Sequence, residues 1–171
     1  QNQNFIMKEL TVKGYINFVY HPSAKNLVQI FHGFDSNVKT VFNTIQNLIK
    51  DNQIVAGHDA VAECAVIGIN DPLKGQQPVG LVLLKNGVDI EEDALEAELV
   101  ALVRQEIGAV ACFKRAIVVQ RLPKTRSGKI LRKLLRQIAD GKDYTIPSTI
   151  DDPASLPEIQ EIMGSHGLVS A

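Results

Sequence analysis

Apolar residues along this chain recur with two different periods. The stretch "VAECAVIGI" (61–69) is almost continuously apolar and stops at the turn signal Asn70-Asp71-Pro72, so it predicts a buried strand. "PVGLVLLKN" (78–86) repeats the pattern and closes on Asn86-Gly87, predicting a second strand. The period then lengthens: Leu95, Leu99, Leu102, Val103 and Ile107 return at helical spacing, with Asp89 as the expected cap. Glu91, Glu92 and Asp93 place negative charge in the first turn, where the helix dipole favours it, and Gly108 supplies the stop. "AIVVQRL" (116–122) reads as a third strand halted by Pro123. A further helix is expected from about 130 to 139, with Ile130, Leu131, Leu134, Leu135 and Ile138 on one face and Gly141 ending it. The order strand-strand-helix-strand-helix predicts an α+β fold, a small three-stranded sheet covered by helices.

The first part of the chain has a different character. Residues 1–53 hold eight of the ten asparagines and five of the six phenylalanines, but one of the fourteen alanines. "YINFVY" (15–20) predicts a strand, "LVQIFHGF" (27–34) a second, and "NVKTVFNTIQNLIKDN" (37–52) a helix capped by Asp35 or Ser36. The apolar positions of that helix, Val38, Val41, Phe42, Ile45, Leu48 and Ile49, read as a core-facing stripe. The compositional shift marks a boundary: a domain junction, a fusion scar, or an N-terminal β/α layer of one fold. The expected organisation is therefore 1–53 as a segment of unassigned fold, 54–158 as the main domain, and 159–171 as a tail.

Bulk composition narrows the classes. At 171 residues with 45% hydrophobic and 22% charged content, the chain is expected to form one soluble globular domain with an appendage. Its net charge of −1 excludes a general field for polyanions, so any attraction for phosphate has to be local. The pattern shows neither a membrane-spanning run nor a secretory signal at "QNQNFIMKEL", and a cytoplasmic location is expected. Cys64 and Cys112 form no CxxC pair and read as two buried, reduced thiols. His21, His32, His58 and His166 lack ligand spacing, so no metal site is expected.

Candidate chemistry concentrates in "LPKTRSGKILRKLL" (122–135), part of a stretch from Arg121 to Arg136 with seven basic residues. A nucleic-acid face would want aromatic or groove-reading partners, and the stretch has no aromatic residue. A Walker-type phosphate loop needs glycine five residues before the Gly-Lys pair, where Pro123 stands without a backbone N–H. A solvated helix explains Arg132, Lys133 and Arg136, which avoid the apolar face. It does not explain Thr125, Ser127 and Gly128 just before Lys129, a lysine on a small loop between a strand end and a helix start.

"LPKTRSGKILR" resembles the C-terminal signature of the AMP-forming acyl-CoA synthetases of the adenylate-forming superfamily. "HDAVAECAVIGINDPLKGQQPVGLVLLKNG" is similar to that family's strand–loop–strand, and "VRQEIGAVACFKRAIVVQRLPKTRSGK" to its helix end and third strand. "IADGKDYTIPSTIDDPASL" resembles the tail of the short-chain members that use acetate or propionate. The resemblance covers roughly 54–158. Residues 1–50 resemble neither the family's hinge nor its large domain. "DNQIVAGHDAVAEC" keeps only "VAGH" of the hinge element, the helix that should follow is missing, and the helix at 36–50 is available to take its place. Gly57-His58 fits either the end of the hinge element or the start of the strand segment, and the hinge acid has no assignment.

The resemblance implies a mobile lid domain that swings over a large adenylation domain, in one pose for acyl-adenylate formation and in another for thioester formation with coenzyme A. The family's motif lysine falls on Lys129, which becomes the implied catalytic residue. A compact ammonium there can bridge the carboxylate and the α-phosphate of ATP, two anions that otherwise repel, and stabilise the charge of the transition state. Gly128 permits the turn, while Thr125 and Ser127 are expected to satisfy its backbone groups. Arg104 matches a family arginine on the phosphates of coenzyme A, with a plain surface charge as the alternative, and Gly57 is carried over as a coenzyme A contact. Lys74 and Lys114 read as solvated charges. ATP, Mg2+ and coenzyme A are the implied co-substrates of the complete enzyme. A large N-terminal adenylation domain and a short-chain carboxylic acid are the implied partners, together with enzymes that acylate and deacylate Lys129. Neither nucleic acid nor membrane is expected, and a mitochondrial matrix location applies if the source is eukaryotic. This stretch alone is expected to lack complete activity. The other reading is a non-catalytic or chimeric interaction module that keeps this fold.

Overall fold

A computed structural model describes residues 8–12, 16–20, 47–73, 75–108 and 110–170. Two compact units divide the chain at residues 47 and 48. In the first unit, β1 (Lys8–Val12) pairs antiparallel with β2 (Ile16–Tyr20) from Lys8 opposite Tyr20 to Val12 opposite Ile16. The strand expected at 15–20 is present as β2. Its partner, "KELTV", went unread because its alternation spans only five residues. The strand expected at 27–34 and the helix from 37 through 46 lie outside the described residues.

The second unit holds a sheet of order β3-β4-β5. β3 (Val61–Asp71) and β4 (Gly75–Leu84) form an antiparallel hairpin, and β5 (Arg115–Val118) adds parallel to β4. This is the expected three-stranded α+β arrangement. Pro78 is tolerated in the central strand because it precedes Val79, where the pairing with β5 begins.

α1 (Glu92–Ile107) follows β4, buries Leu95, Leu99 and Val103, and runs beside β5. It begins two residues later than an Asp89 cap would place it, after Glu91, whose side chain makes no capping bond. Glu92 and Glu96 are used instead to receive the backbone N–H groups of Val118 and Ala116 from the edge strand β5. Gly108 ends the helix as expected.

One face of the sheet, through Ala65, Ile67, Leu81 and Ile117, is covered by Leu134, Leu135 and Ile138 of α2 (Arg132–Ala139) and by Leu156, Ile159 and Met163 of α3 (Ser155–Ser165). Burying each such side chain is worth roughly 1.5–3 kcal/mol, which fixes both helices to the sheet. α3 was not expected, and a boundary at 158 falls inside it. Gly141, just past α2, has φ 63°, and a Cβ there would stand 2.6 Å from the Ser170 carbonyl oxygen. That contact lets the C-terminal strand of chain close over α2, where Ser170 donates its N–H to the Ala139 carbonyl at 2.8 Å.

β3 is an edge strand, and two of its amides are covered by side chains. The Val66 N–H donates to Asn52 Oδ1 at 3.0 Å, from a helix over 47–56, and the Asn70 N–H donates to Asp140 Oδ1 at 3.3 Å. The 47–56 helix also buries Leu48, Val55 and Asp51.

Candidate functional site

The basic stretch folds as a tight hairpin between β5 and α2. Thr125 donates its N–H to the Lys129 carbonyl at 2.8 Å, and Gly128 donates its own to the Thr125 carbonyl at 2.8 Å. Gly128 has φ 87°, so Arg126, Ser127 and Gly128 form a three-residue connection ending in a left-handed residue. Thr125 Oγ1 accepts the Lys129 N–H at 3.1 Å, as expected of this threonine. Ser127 does something else: its hydroxyl meets the Thr125 hydroxyl at 2.9 Å rather than a backbone group.

Lys124 pairs with Ile130 across the hairpin, and Thr125 pairs with Ile150 on its other side. Arg126 donates its N–H to the Thr149 carbonyl at 3.0 Å, and Asp151 donates to the Lys124 carbonyl at 2.8 Å. At the hairpin's base, Arg121 makes a two-pronged bond to Glu158 of α3 at 2.7 and 2.8 Å and also pairs with Asp152. These hydrogen bonds, donated by Arg121 to Glu158 and Asp152, raise its pKa. The Ala154 N–H, followed by Arg121, lowers that of Asp152. The loop is thus braced on three sides.

Lys129 is exposed, and among the described residues its ammonium has no ion-pair partner. Alternation along the hairpin puts Lys124 and Lys129 on opposite faces. Lys124 turns to Glu63 of β3 and Lys129 turns to solvent.

The other expected site residues lie elsewhere. Arg104 is exposed in the last turn of α1. Gly57 is exposed just after the 47–56 helix and donates its N–H to the Ile54 carbonyl at 3.1 Å. His58, next to it, reaches Glu98 of α1 at 3.1 Å, so Gly57 and Arg104 attach to the same helix. No hydrogen bond or ion pair among the described residues joins either of them to Lys129. Lys114 is exposed as expected, and Lys74 lies outside the described residues.

Two expectations change. Arg132 and Arg136 are half-buried, and only Lys133 lies on the wet side of α2. Burial lowers the pKa of Arg136, with Asp140 opposing the shift. The helix is short and packs against both β3 and α3. Of the two thiols, Cys64 is buried and Cys112 exposed; burial raises Cys64 to about 11, Arg132 opposing and Glu63 adding to the effect.

Sequence reasoning missed three charged positions. Asp51 is almost fully buried, and burial raises its carboxyl to about 6. His166 ends α3 with Nδ1 at 2.8 Å from the Ile162 carbonyl and Nε2 on the Glu92 carboxylate. Glu63 holds Lys124. Nothing in the periodicity flagged them, since each depends on contacts between distant segments.

A cleft of about 290 Å³, lined by Ile69, Gln77, Arg115 and Leu168 among others, opens at the far end of the sheet from the lysine hairpin. Among the described residues no three histidine, cysteine, aspartate or glutamate side chains come together as a metal site, and no helix is long and apolar enough to cross a membrane.

Residues 52–129 match the family of AMP-binding enzyme C-terminal domains. Among relatives, an uncharacterised protein of Pseudomonas aeruginosa is 66% identical over 62% of this chain and 17% of its own length. The mitochondrial acyl-CoA synthetase short-chain family member 3 of Mus musculus is 44% identical over 75% of this chain and 19% of its own. Acetyl-coenzyme A synthetase 1 of Debaryomyces hansenii is 34% identical over 91% of this chain and 24% of its own. The chain therefore spans about a quarter or less of these relatives. A solved acyl-CoA synthetase of Brucella canis is 34% identical over 53% of this chain and 16% of that one, with a TM-score of 0.49. The 91% match leaves only about 15 residues of this chain uncovered, so it takes in most of residues 1–53. Those residues thus align with part of a synthetase, where the sequence alone suggested no resemblance.

Proposed function

We propose that this chain is the mobile C-terminal lid of an enzyme that activates a short-chain carboxylic acid with ATP and passes the acyl group to coenzyme A. The observation that carries the reading is Lys129: exposed, free of any ion pair among the described residues, and presented by a hairpin tied to the sheet and to α3. Adenylation brings a carboxylate oxygen onto the α-phosphorus of ATP and expels pyrophosphate. An ammonium placed over both anions offsets their repulsion and the charge gained by the bridging oxygens. A lysine already paired with a carboxylate would have to break that pair first.

On this reading the large adenylation domain supplies the nucleotide and acid sites, and Mg2+ enters with ATP rather than through residues of this chain. Arg104 on α1, and Gly57 beside the His58 that reaches α1, serve the coenzyme A step. A lid that turns between two poses can present the hairpin for one half-reaction and the α1 side for the other. Acylation of Lys129 would remove the charge and silence adenylation. The location is the cytoplasm or, in a eukaryote, the mitochondrial matrix.

Mixing the chain with a matching large domain, ATP, acetate or propionate, and coenzyme A tests the reading by AMP release. Wild type is expected to support turnover, and Lys129→Ala to lower it on the order of 10²–10³-fold. Equal AMP release by the two, or none where the intact enzyme works, contradicts it.

A further inference from the structure

Glu63 lies at a register shift in β3, between Val61 and Glu63, a place where a bulge re-aims a side chain. Its carboxylate reaches across sixty-one positions of sequence to Lys124, whose Nζ stands 2.6 Å from Oε1 and 2.5 Å from Oε2. The pair is partly shielded, with side-chain exposures of 39% for Glu63 and 29% for Lys124, and Oε2 is closed to solvent. Lys124 is also the residue whose backbone pairs with Ile130 and receives the Asp151 N–H. Glu63 therefore grips the hairpin at the position that fixes its two neighbouring strands.

We propose that Glu63 is a positioning residue for Lys129, locking the inner face of the hairpin to the sheet edge so that the outer face presents Lys129. The proposal rests on the reading of Lys129 as the adenylation lysine, but the lock itself can be read without turnover. Thr125 and Lys129 sit opposite each other and one step from the Lys124–Ile130 pair, so a tilt at Lys124 moves the ammonium directly.

The test uses the 171-residue chain carrying Glu63→Gln, Lys124→Met, or the exchange Glu63→Lys with Lys124→Glu. Amide hydrogen exchange at Gly128 and Lys129, both bonded to Thr125, is expected to quicken about fivefold in each single variant, as for a partly shielded pair. Amides of Leu99 and Val103 in α1 should keep their rates, and the exchanged pair should restore the slow loop. Unchanged loop exchange, a rise spread evenly over α1 and the sheet, or no restoration by the exchanged pair overturns the proposal. With a large domain present, Glu63→Gln is expected to lower kcat for AMP release at unchanged KM for ATP; a pure KM effect also overturns it. Failure of the wild-type mixture to form AMP sinks the reading of Lys129 instead, while the exchange rates still decide the lock.

Discussion

Lys129 and Lys124 show how one hairpin can use the same side chain for opposite ends. Five residues apart, they differ only in which face of the hairpin they occupy: one is spent on Glu63 and the other is kept free of ion pairs among the described residues. The sequence marked Lys129 through its Thr-Arg-Ser-Gly setting but gave Lys124 no distinction, because its partner lies in another strand. Two buried or bridged groups make the chain's stability depend on pH. Asp51 is raised to about 6 by burial alone, so its ionised form is a cost that is absent below the unfolded value near 4 and complete above about 6. Asp51→Asn should stabilise the chain by ~2–3 kcal/mol at pH 8 and by nothing at pH 4, as read by urea unfolding at both pH values. His166 faces acceptors at both ring nitrogens, first the Ile162 carbonyl and then Glu92, and its pKa is raised despite some burial and the nearby Arg115. The sign is opposite to that for Asp51: this contribution is full below the unfolded value near 6.5 and fades as pH rises through the folded value. His166→Gln should therefore lower Tm at pH 5.5 and converge on wild type toward pH 9, with a difference of no more than ~1 kcal/mol for a pair this exposed.

Elements were legible where periodicity ran long. β3, β4 and α1 follow from uninterrupted apolar runs or a clean stripe, and the structure shifts their ends by only a few residues. α3 was not read from the sequence, and one proline stands before it and another within it. Pro153 precedes the helix, and Pro157 sits in its first turn, where a missing N–H is tolerated, so neither interrupts it. β5 shrank to four residues because the chain leaves the sheet toward the Arg121 anchor once the Val119 N–H has bonded to the Val82 carbonyl at 2.8 Å. Arg132 and Arg136 were misplaced for a related reason: polarity alone does not show that a two-turn helix packs against both a strand and another helix. The hairpin itself depends on Gly128, whose φ of 87° is costly for any residue with a Cβ. Gly128→Ala should destabilise the chain by about 1–2 kcal/mol, a change measurable by thermal unfolding, although nothing stands within 4 Å of the added methyl group.

At the scale of the whole molecule, the chain spans 17–24% of the relatives named above, and the family match covers residues 52–129. On the proposed reading the activity needs a large adenylation domain as well, and this unit offers Lys129 and the hairpin that holds it. The cleft by Arg115 lies at the other end of the sheet and takes no part in that account. Pyrophosphate exchange into ATP isolates the adenylation half-reaction, which is the step assigned to Lys129. Measured with a matching large domain and a short-chain acid, the rate should fall on the order of 10²–10³-fold for Lys129→Ala while the variant keeps the wild-type Tm. Equal exchange rates for wild type and Lys129→Ala would contradict the account.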